Sequence, residues 1–261
     1  MRSIVHLQPI IPHYREEFFY LLSKKVHQDI YIYENIKDAK KSSFNISKTR
    51  YAQIQSKMFR GGILVYNPFI LIKGYYDCLV LMLNFTHITT WLLLLTKFLH
   101  RKKIILWGQG ISLRRYLKEE KRPDWKLNLM IALADGVWFY MDKEKEQWQK
   151  LFPKKPMVAL HNTLTGVDDM VRYVPKVSVE ELKEKYGIKQ KAVFIFCARF
   201  TANRRVDLLL EAINHLDPKK YGFVIIGAGD SKPDFSNFDN VYDFGAIYDT
   251  AVKQELFALA D

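Results

Sequence analysis

Cysteine is scarce in this 261-residue chain, which holds only Cys78 and Cys197. Each lies in an apolar run and reads as a buried free thiol. A disulfide framework is therefore not expected, and a reducing compartment suits the pattern. No secretory leader is expected either, because Pro9, Pro12 and several polar groups interrupt the opening stretch. Long apolar runs are also missing. Leu79–Leu99 alone approaches the length of a membrane span, and Asn84, Thr86, His87, Thr89, Thr90 and Lys97 interrupt it. It reads as a strand (Cys78–Leu83), a loop and a helix (Ile88–Leu99). There is no Asp-x-Asp triplet, no Cys/His metal spacing, no Gly-x-Ser-x-Gly elbow and no Walker loop. Those absences set aside the metal, hydrolase and P-loop classes that such motifs define, and no metal ligands are expected. No repeat of fixed period and no low-complexity tract occurs.

Acidic residues are few in the first two thirds. Met1–Pro175 holds 28 Lys/Arg against 15 Asp/Glu, whereas Lys176–Asp261 holds 12 against 13. The net charge of +12 thus resides in the first part. A solvated basic surface, an anionic membrane face and nucleic acid are three uses for such an excess.

What the sequence does contain is alternation. Strands are expected at Ser3–Leu7, Asp29–Tyr33, Ile63–Val65, Cys78–Leu83, Lys103–Trp107, Gly136–Tyr140 and Met157–Leu160. Helices are expected at Tyr14–Lys25, Phe69–Gly74, Ile88–Leu99, Trp125–Ala134 and Asp142–Leu151. A polar stretch between Asp168 and Lys191 marks a domain boundary, taken as residues 1–170 and 171–261. Within that stretch Ser178 and Glu181 have capping-box spacing and open a helix to Tyr186. Alternation then restarts with strand Val193–Ala198, helix Val206–His215, strands Gly222–Ile226 and Val241–Phe244, and helix Thr250–Ala260. This order argues for an α/β protein with two doubly wound parallel sheets, the second incomplete.

Candidate ligand groups cluster where strands end. Arg199, Arg204 and Arg205 follow strand Val193–Ala198 and precede a helix. There, free N–H groups and guanidinium forks can hold a diphosphate, and a solvated basic loop is the plainer alternative. Gly227-Ala228-Gly229-Asp230 follows the next strand, as a close-approach loop or an ordinary turn. Gly245 closes the third strand, beside a nucleotide base or as a simple loop glycine. A nicotinamide fingerprint is weak here and at Gly108-Gln109-Gly110, since neither has the third glycine. In the first domain His13, Tyr14 and Arg15 follow a Pro-stiffened loop and could meet an anion or a hydroxyl-rich ligand. Alternatively, Tyr14 packs in the core and His13 is solvated. Gln109 ends another strand and can hydrogen-bond a ligand without acting as a base. Asn162, in His161-Asn162-Thr163, is a cleft residue or a turn.

Together these segments resemble the GT-B glycosyltransferases, specifically the retaining family 4 (glycosyltransferase group 1 type). The segments that carry the resemblance are ARFTANRRVDLLLEAI, FVIIGAGD and VYDFGAIYDTAVKQELFALAD, with weaker support from PHYREEFFYLL, the Trp107-Gly108-Gln109-Gly110 strand end, LADGVWFY and HNTL. The resemblance implies two Rossmann-like domains with the active site between them. It implies a nucleotide-diphospho-sugar donor on the second domain, no metal or cofactor, and a glycan or lipid-linked saccharide acceptor on the first. It also implies a cytoplasmic location at the inner face of the cell membrane, with no nucleic-acid partner. By the same resemblance Arg199 and Arg204 neutralise the diphosphate leaving group. Gly227 and Gly229 admit the donor, Gly245 lies near the base, and Arg205 adjoins the phosphates where glycine is usual. His13, Tyr14, Arg15, Gln109 and Asn162 fall on the acceptor side, with Gln109 where relatives often have His. The chain stops before the family's paired-glutamate motif, so a C-terminal truncation with little transferase activity is expected. A non-enzymatic membrane-surface binding protein and a GT-B-like sugar-nucleotide epimerase are the alternatives.

Overall fold

The computed structural model describes residues 3–34, 49–111, 122–161 and 167–261. The chain divides into two units, Met1–Thr165 and Gly166–Asp261.

The first unit contains strands β1 (Ser3–Gln8), β2 (His27–Ile32) and β3 (Ala52–Gln53), and a hairpin, β4 (Ser56–Phe59) with β5 (Ile63–Tyr66). Strands β6 (Cys78–Met82), β7 (Lys103–Gly108), β8 (Gly136–Phe139) and β9 (Met157–Ala159) follow. Apart from the hairpin they form one sheet in the order β3-β2-β1-β6-β7-β8-β9, and every pairing in it is parallel. The helices are α1 (Glu16–Ser23), α2 (Phe69–Lys73), α3 (Ile88–Leu95), α4 (Lys97–His100), α5 (Trp125–Leu133) and α6 (Asp142–Leu151).

Strand β6 reads CLVLM, an unbroken apolar run, as a central parallel strand covered on both faces requires. On one face Val5, Leu7, Leu79, Leu81, Ile104 and Leu106 pack against Leu71 of α2, Leu93 and Leu94 of α3, Met130 and Ile131 of α5 and Trp148 of α6. On the other face Ile30, Ile32, Val80 and Trp107 pack against Phe19 of α1. Each fully buried side chain of this size contributes about 2 kcal/mol relative to exposure. The winding direction reverses between β1 and β6. That is the switch point outside whose carboxyl ends doubly wound sheets open a crevice.

The second unit contains α7 (Val167–Val171), α8 (Val179–Lys185), β10 (Ala192–Cys197), α9 (Val206–His215), β11 (Tyr221–Ile226), β12 (Val241–Asp243) and α10 (Thr250–Ala258). Its three strands are parallel in the order β10-β11-β12. Val193, Val224 and Ile226 pack against Leu182 of α8 and Leu256 of α10. Phe223 and Ile225 pack with Ile213 of α9 on the opposite face. The capping box forms as the spacing requires. Glu181 N–H donates to Ser178 Oγ at 3.1 Å, and Ser178 N–H donates to Glu181 Oε2 at 2.9 Å. The α/β class and the parallel sheets are those expected from the alternation; the winding reverses in the first sheet, whereas the three described strands of the second run in one direction.

Three local expectations are corrected. The helix expected over Ile88–Leu99 is broken at Thr96, whose Oγ1 donates to Leu92 O at 2.7 Å and whose backbone leaves the helical range. Residues His13–Arg15 form a 3-10 turn ahead of α1 rather than its first turn. Cys197 is exposed at the last position of β10, an outer strand among the described residues, and Cys78 is only half-buried.

One buried polar side chain has a measurable consequence. His6 in β1 is fully buried, edge-on to Phe19 with ring centres 5.2 Å apart, and desolvation pushes its pKa down to about 3. The folded ring refuses a proton that the unfolded ring takes below about 6.5. Stability is therefore full above that pH and falls as pH drops toward 3, by up to about 1.4 kcal/mol per pH unit. Urea unfolding followed by tryptophan fluorescence should show this loss, and His6→Leu should make it shallower, leaving the part contributed by buried His87, whose pKa desolvation pushes down to about 4.

Candidate functional site

In the second unit the candidate residues sit on three loops that leave β10, β11 and β12 at their carboxyl ends. Ala198 N–H donates to Ile226 O and Phe200 N–H to Ala228 O, both at 3.0 Å, so the first two loops run side by side beyond the sheet. Phe200 is fully buried and anchors its loop, which leaves its neighbour Arg199 exposed. A 3-10 turn, Ala202–Arg204, carries Arg204, also exposed, to the start of α9. Neither Arg199 nor Arg204 has a side-chain partner among the described residues. Arg205 differs. It holds left-handed backbone (φ 49°), and its guanidinium grips Asp207, with Nη2 at 2.8 Å and Nε at 3.0 Å. That pairing holds the Asp207 carboxyl below its usual range.

The glycine loop is fixed by the lack of side chains. Gly227 has φ 147°, and a Cβ there would lie 1.9 Å from Ala198 O. Gly229 has φ 154°, and a Cβ there would lie 2.1 Å from Phe200 O. Gly227 N–H donates to Gly245 O at 2.7 Å, which ties the second loop to the third. Lys232, not expected at the site from the sequence, completes the tie. Its Nζ donates to Gly227 O at 3.1 Å and to Asp243 Oδ1 at 2.6 Å, while Gly245 N–H donates to the same oxygen at 2.9 Å. A lysine five residues beyond the first glycine of a tight loop was the available signal. The result is a rigid, backbone-lined lip beside two unpartnered guanidiniums and the uncapped N-terminus of α9.

In the first unit the strand ends gather aromatic and amide groups. Arg15 Nη2 donates to Tyr140 Oη at 2.7 Å, and Nη1 reaches Gln8 Oε1 at 3.5 Å. The guanidinium lies 4.9 Å from the ring centres of both Trp107 and Tyr140, and 5.8 Å from that of Tyr14. Beneath it, Gln8 Nε2 and Trp107 Nε1 are buried donors without a partner among the described residues. Gln8 and Trp107 were not foreseen as site residues. Both stand at strand ends, and Trp107 also opens the Trp-Gly-x-Gly strand end that contributes to the resemblance. Gln109 lines a separate cavity of about 290 Å³ with Asn84, Phe85 and Leu127, at the exits of β6 and β7. His13 belongs to the 3-10 turn. Asn162 lies outside the described residues. Among the described residues no group of three or more His, Cys, Asp or Glu is arranged to hold a metal ion.

No protein-family model and no curated protein matches the sequence. Solved structures do match its fold. Anabaena Alr3699/HepE, solved in complex with UDP and glucose, superposes with a TM-score of 0.55 at 12% identity, covering 100% of this chain and 73% of that one. A glycosyltransferase from Rickettsia africae gives 0.55 at 15% identity, covering 100% and 71%. UDP-GlcNAc 2-epimerase from Neisseria meningitidis, solved bound to UDP-GlcNAc, gives 0.53 at 12%, covering 99% and 75%. At such identities the likeness establishes the fold, which is GT-B-like.

The geometry separates two glycines that sequence alone treats alike. Gly227→Ala drives a methyl into the Ala198 carbonyl, whereas Gly245→Ala meets nothing within 4 Å and strains only its own φ. The first should cost about 2 kcal/mol or more and the second about 1 kcal/mol. Hydrogen exchange at the β10 and β11 amides should report the difference.

Proposed function

We propose that this chain is a GT-B-type enzyme of nucleotide-diphospho-sugars, a retaining family 4 glycosyltransferase that moves a hexose to a saccharide or lipid-linked acceptor. The observation that carries the reading is the pair of guanidiniums, Arg199 and Arg204, without a partner among the described residues, beside a lip on which no Cβ fits at Gly227 or Gly229. When the sugar's anomeric carbon–oxygen bond breaks, negative charge grows on the diphosphate. Fixed cations and N–H groups stabilise that charge without reorganising. Gly227 and Gly229 let backbone approach the phosphates, and Gly245 lies toward the base. Arg205, held by Asp207, contributes less charge than its neighbours. On the acceptor side, Arg15 with Gln8, Trp107 and Tyr140 offers donors for an anion or hydroxyls and aromatic faces for a sugar ring. Tyr14 borders this cluster and Gln109 serves the adjoining cavity, with His13 and Asn162 proposed on the same side. No resident cofactor or metal is invoked.

The epimerase among the similar structures supports a second reading, a sugar-nucleotide epimerase. Release of an epimerised sugar nucleotide with no acceptor present favours that reading, and transfer that requires an acceptor favours the first.

Calorimetric titration with UDP, GDP and ADP tests the shared premise. One of these should bind in the micromolar range. Arg199→Ala and Arg204→Ala should each weaken it about tenfold or more, as removal of a charge-assisted pair predicts, and Arg205→Ala should weaken it less. Absence of binding by all three diphosphates would sink the reading.

A further inference from the structure

A cavity of about 770 Å³ opens at the amino ends of β1, β6 and β7. The candidate groups of the first unit sit at the carboxyl ends of the same strands, roughly 17 Å away at about 3.3 Å per residue. Ile4, Cys78 and Ile105 share one face of the sheet, by the register of the three strands, and form the cavity floor. Val26, in the turn after α1, and Tyr76, just before β6, also line it. The loop from α4 into β7 supplies the rest, His100 to Lys103.

That loop is fixed by its own bonds. Lys102 Nζ donates to Gly74 O at 2.8 Å and to Tyr76 O at 2.7 Å. His100 Nδ1 accepts from Lys102 N–H at 3.2 Å, which leaves Nε2 to donate to Leu93 O at 2.9 Å, so the ring is held neutral. Arg101 takes the left-handed position after α4, with φ 56°. The Arg101 guanidinium and Lys103 Nζ have no partner among the described residues, and both residues are exposed. The nearby carboxylates are engaged elsewhere. Asp77 accepts from Ser3 N–H at 2.9 Å and Asp29 from Tyr76 Oη at 2.6 Å. Asp135 accepts from Lys97 Nζ at 3.1 Å and from Ile104 N–H at 2.8 Å. Lys24 and Lys25 precede Val26 in its turn. Around the cavity the cations Lys24, Lys25, Lys97, Arg101, Lys102 and Lys103 thus outnumber the carboxylates Asp29, Asp77 and Asp135. Small-molecule sites combine apolar walls with a few polar groups that fix orientation, and two disengaged cations above an apolar floor have that form. A guanidinium and an ammonium are matched by an oxyanion.

We propose that this cavity binds a small amphiphilic anion, with its carboxylate or phosphate head against Arg101 and Lys103 and its apolar body over Ile4, Cys78 and Ile105. The site goes beyond the nucleotide-sugar reading and does not depend on it, because the candidate donor and acceptor groups lie at carboxyl strand ends.

Cys78 is a local reporter, because it lines the cavity and Cys197→Ser leaves it the sole cysteine of the chain. Burial pushes its thiol up to about 11, so it reacts slowly and its rate reads access. Labelling of the full chain with N-ethylmaleimide, at one fixed pH, should slow about fivefold or more in octyl phosphate or octanoate. Octyl glucoside, which has the same chain without the charge, should not slow it. Whichever anion protects more assigns the head as phosphate or carboxylate. The pair Arg101→Gly/Lys103→Gln should weaken binding of that anion about tenfold in calorimetric titration. Its melting profile should match the wild type, because glycine suits the left-handed backbone and both side chains are exposed. The control pair Lys57→Gln/Arg60→Gln, on the β4–β5 hairpin, should bind as the wild type does. Absence of protection by both anions overturns the proposal. Equal protection by octyl glucoside, or affinity that survives the Arg101/Lys103 pair, does so too. Diphosphate titration of the same variants keeps this outcome separate from that of the donor site.

Discussion

Two carbonyls, Ala198 O and Phe200 O, lie where any side chain on Gly227 or Gly229 would stand. The strand ends of the second unit depend on that approach. Because the β10 and β11 exits meet backbone to backbone, the chain between them has little choice of path. Phe200 turns inward to the core, and Arg199 is left exposed. The Gly227–Gly245 hydrogen bond and the Lys232–Asp243 pair extend the same constraint to the third loop. The charged side chains that remain free are thus presented by backbone that cannot relax toward them. A preorganised anion site needs this arrangement, since donors that must reorganise lose much of their electrostatic advantage.

The first unit solves a different problem at its strand ends. Its switch point lies between β1 and β6, and β1 ends there in a fully buried glutamine. A buried amide donor without a partner is costly, and so is a buried indole N–H. Gln8 and Trp107 supply one of each, beneath an arginine already held by Tyr140. A core built only for stability would have replaced both with apolar groups. Beside them the half-exposed Arg15 guanidinium is the polar group of the cluster that reaches the surface.

Much of the fold was legible because parallel strands buried on both faces read as short unbroken apolar runs. Val193–Ala198, Cys78–Leu83 and Gly222–Ile226 each lie within a residue or two of the observed strands. Helix α9 was legible to the residue, since its amphipathic run starts after a basic turn and ends at His215. What escaped notice lacked that signal. Strand β4 (SKMF) has no buried residue, so its pattern could not announce a strand; only pairing with β5 makes it one. The break at Thr96 depends on a hydroxyl bond back to Leu92, which an apolar count does not see. Cys197 was expected to be buried from its apolar neighbours, but its place at the end of an outer strand exposes it. At the candidate sites the arginines and glycines were visible as types at strand ends. Lys232, Gln8 and Trp107 matter through partners far along the chain, or through the lack of one.

Arg205 brings these strands together. Glycine is usual at its position in the family that the sequence resembles, and the structure shows a backbone reason: φ is 49°, in the left-handed region that side chains disfavour. An arginine there carries that strain, of order 1 kcal/mol, and offsets part of it by gripping Asp207 in the first turn of α9. The pairing has an electrostatic effect as well. Asp207 complements the positive end of the helix, and Arg205 in turn neutralises Asp207, so the carboxylate does not oppose an anion arriving at Arg199 and Arg204. The arginine at this position is therefore half of a local charge pair. It keeps the helix N-terminus compatible with a diphosphate while leaving the two flanking guanidiniums unengaged.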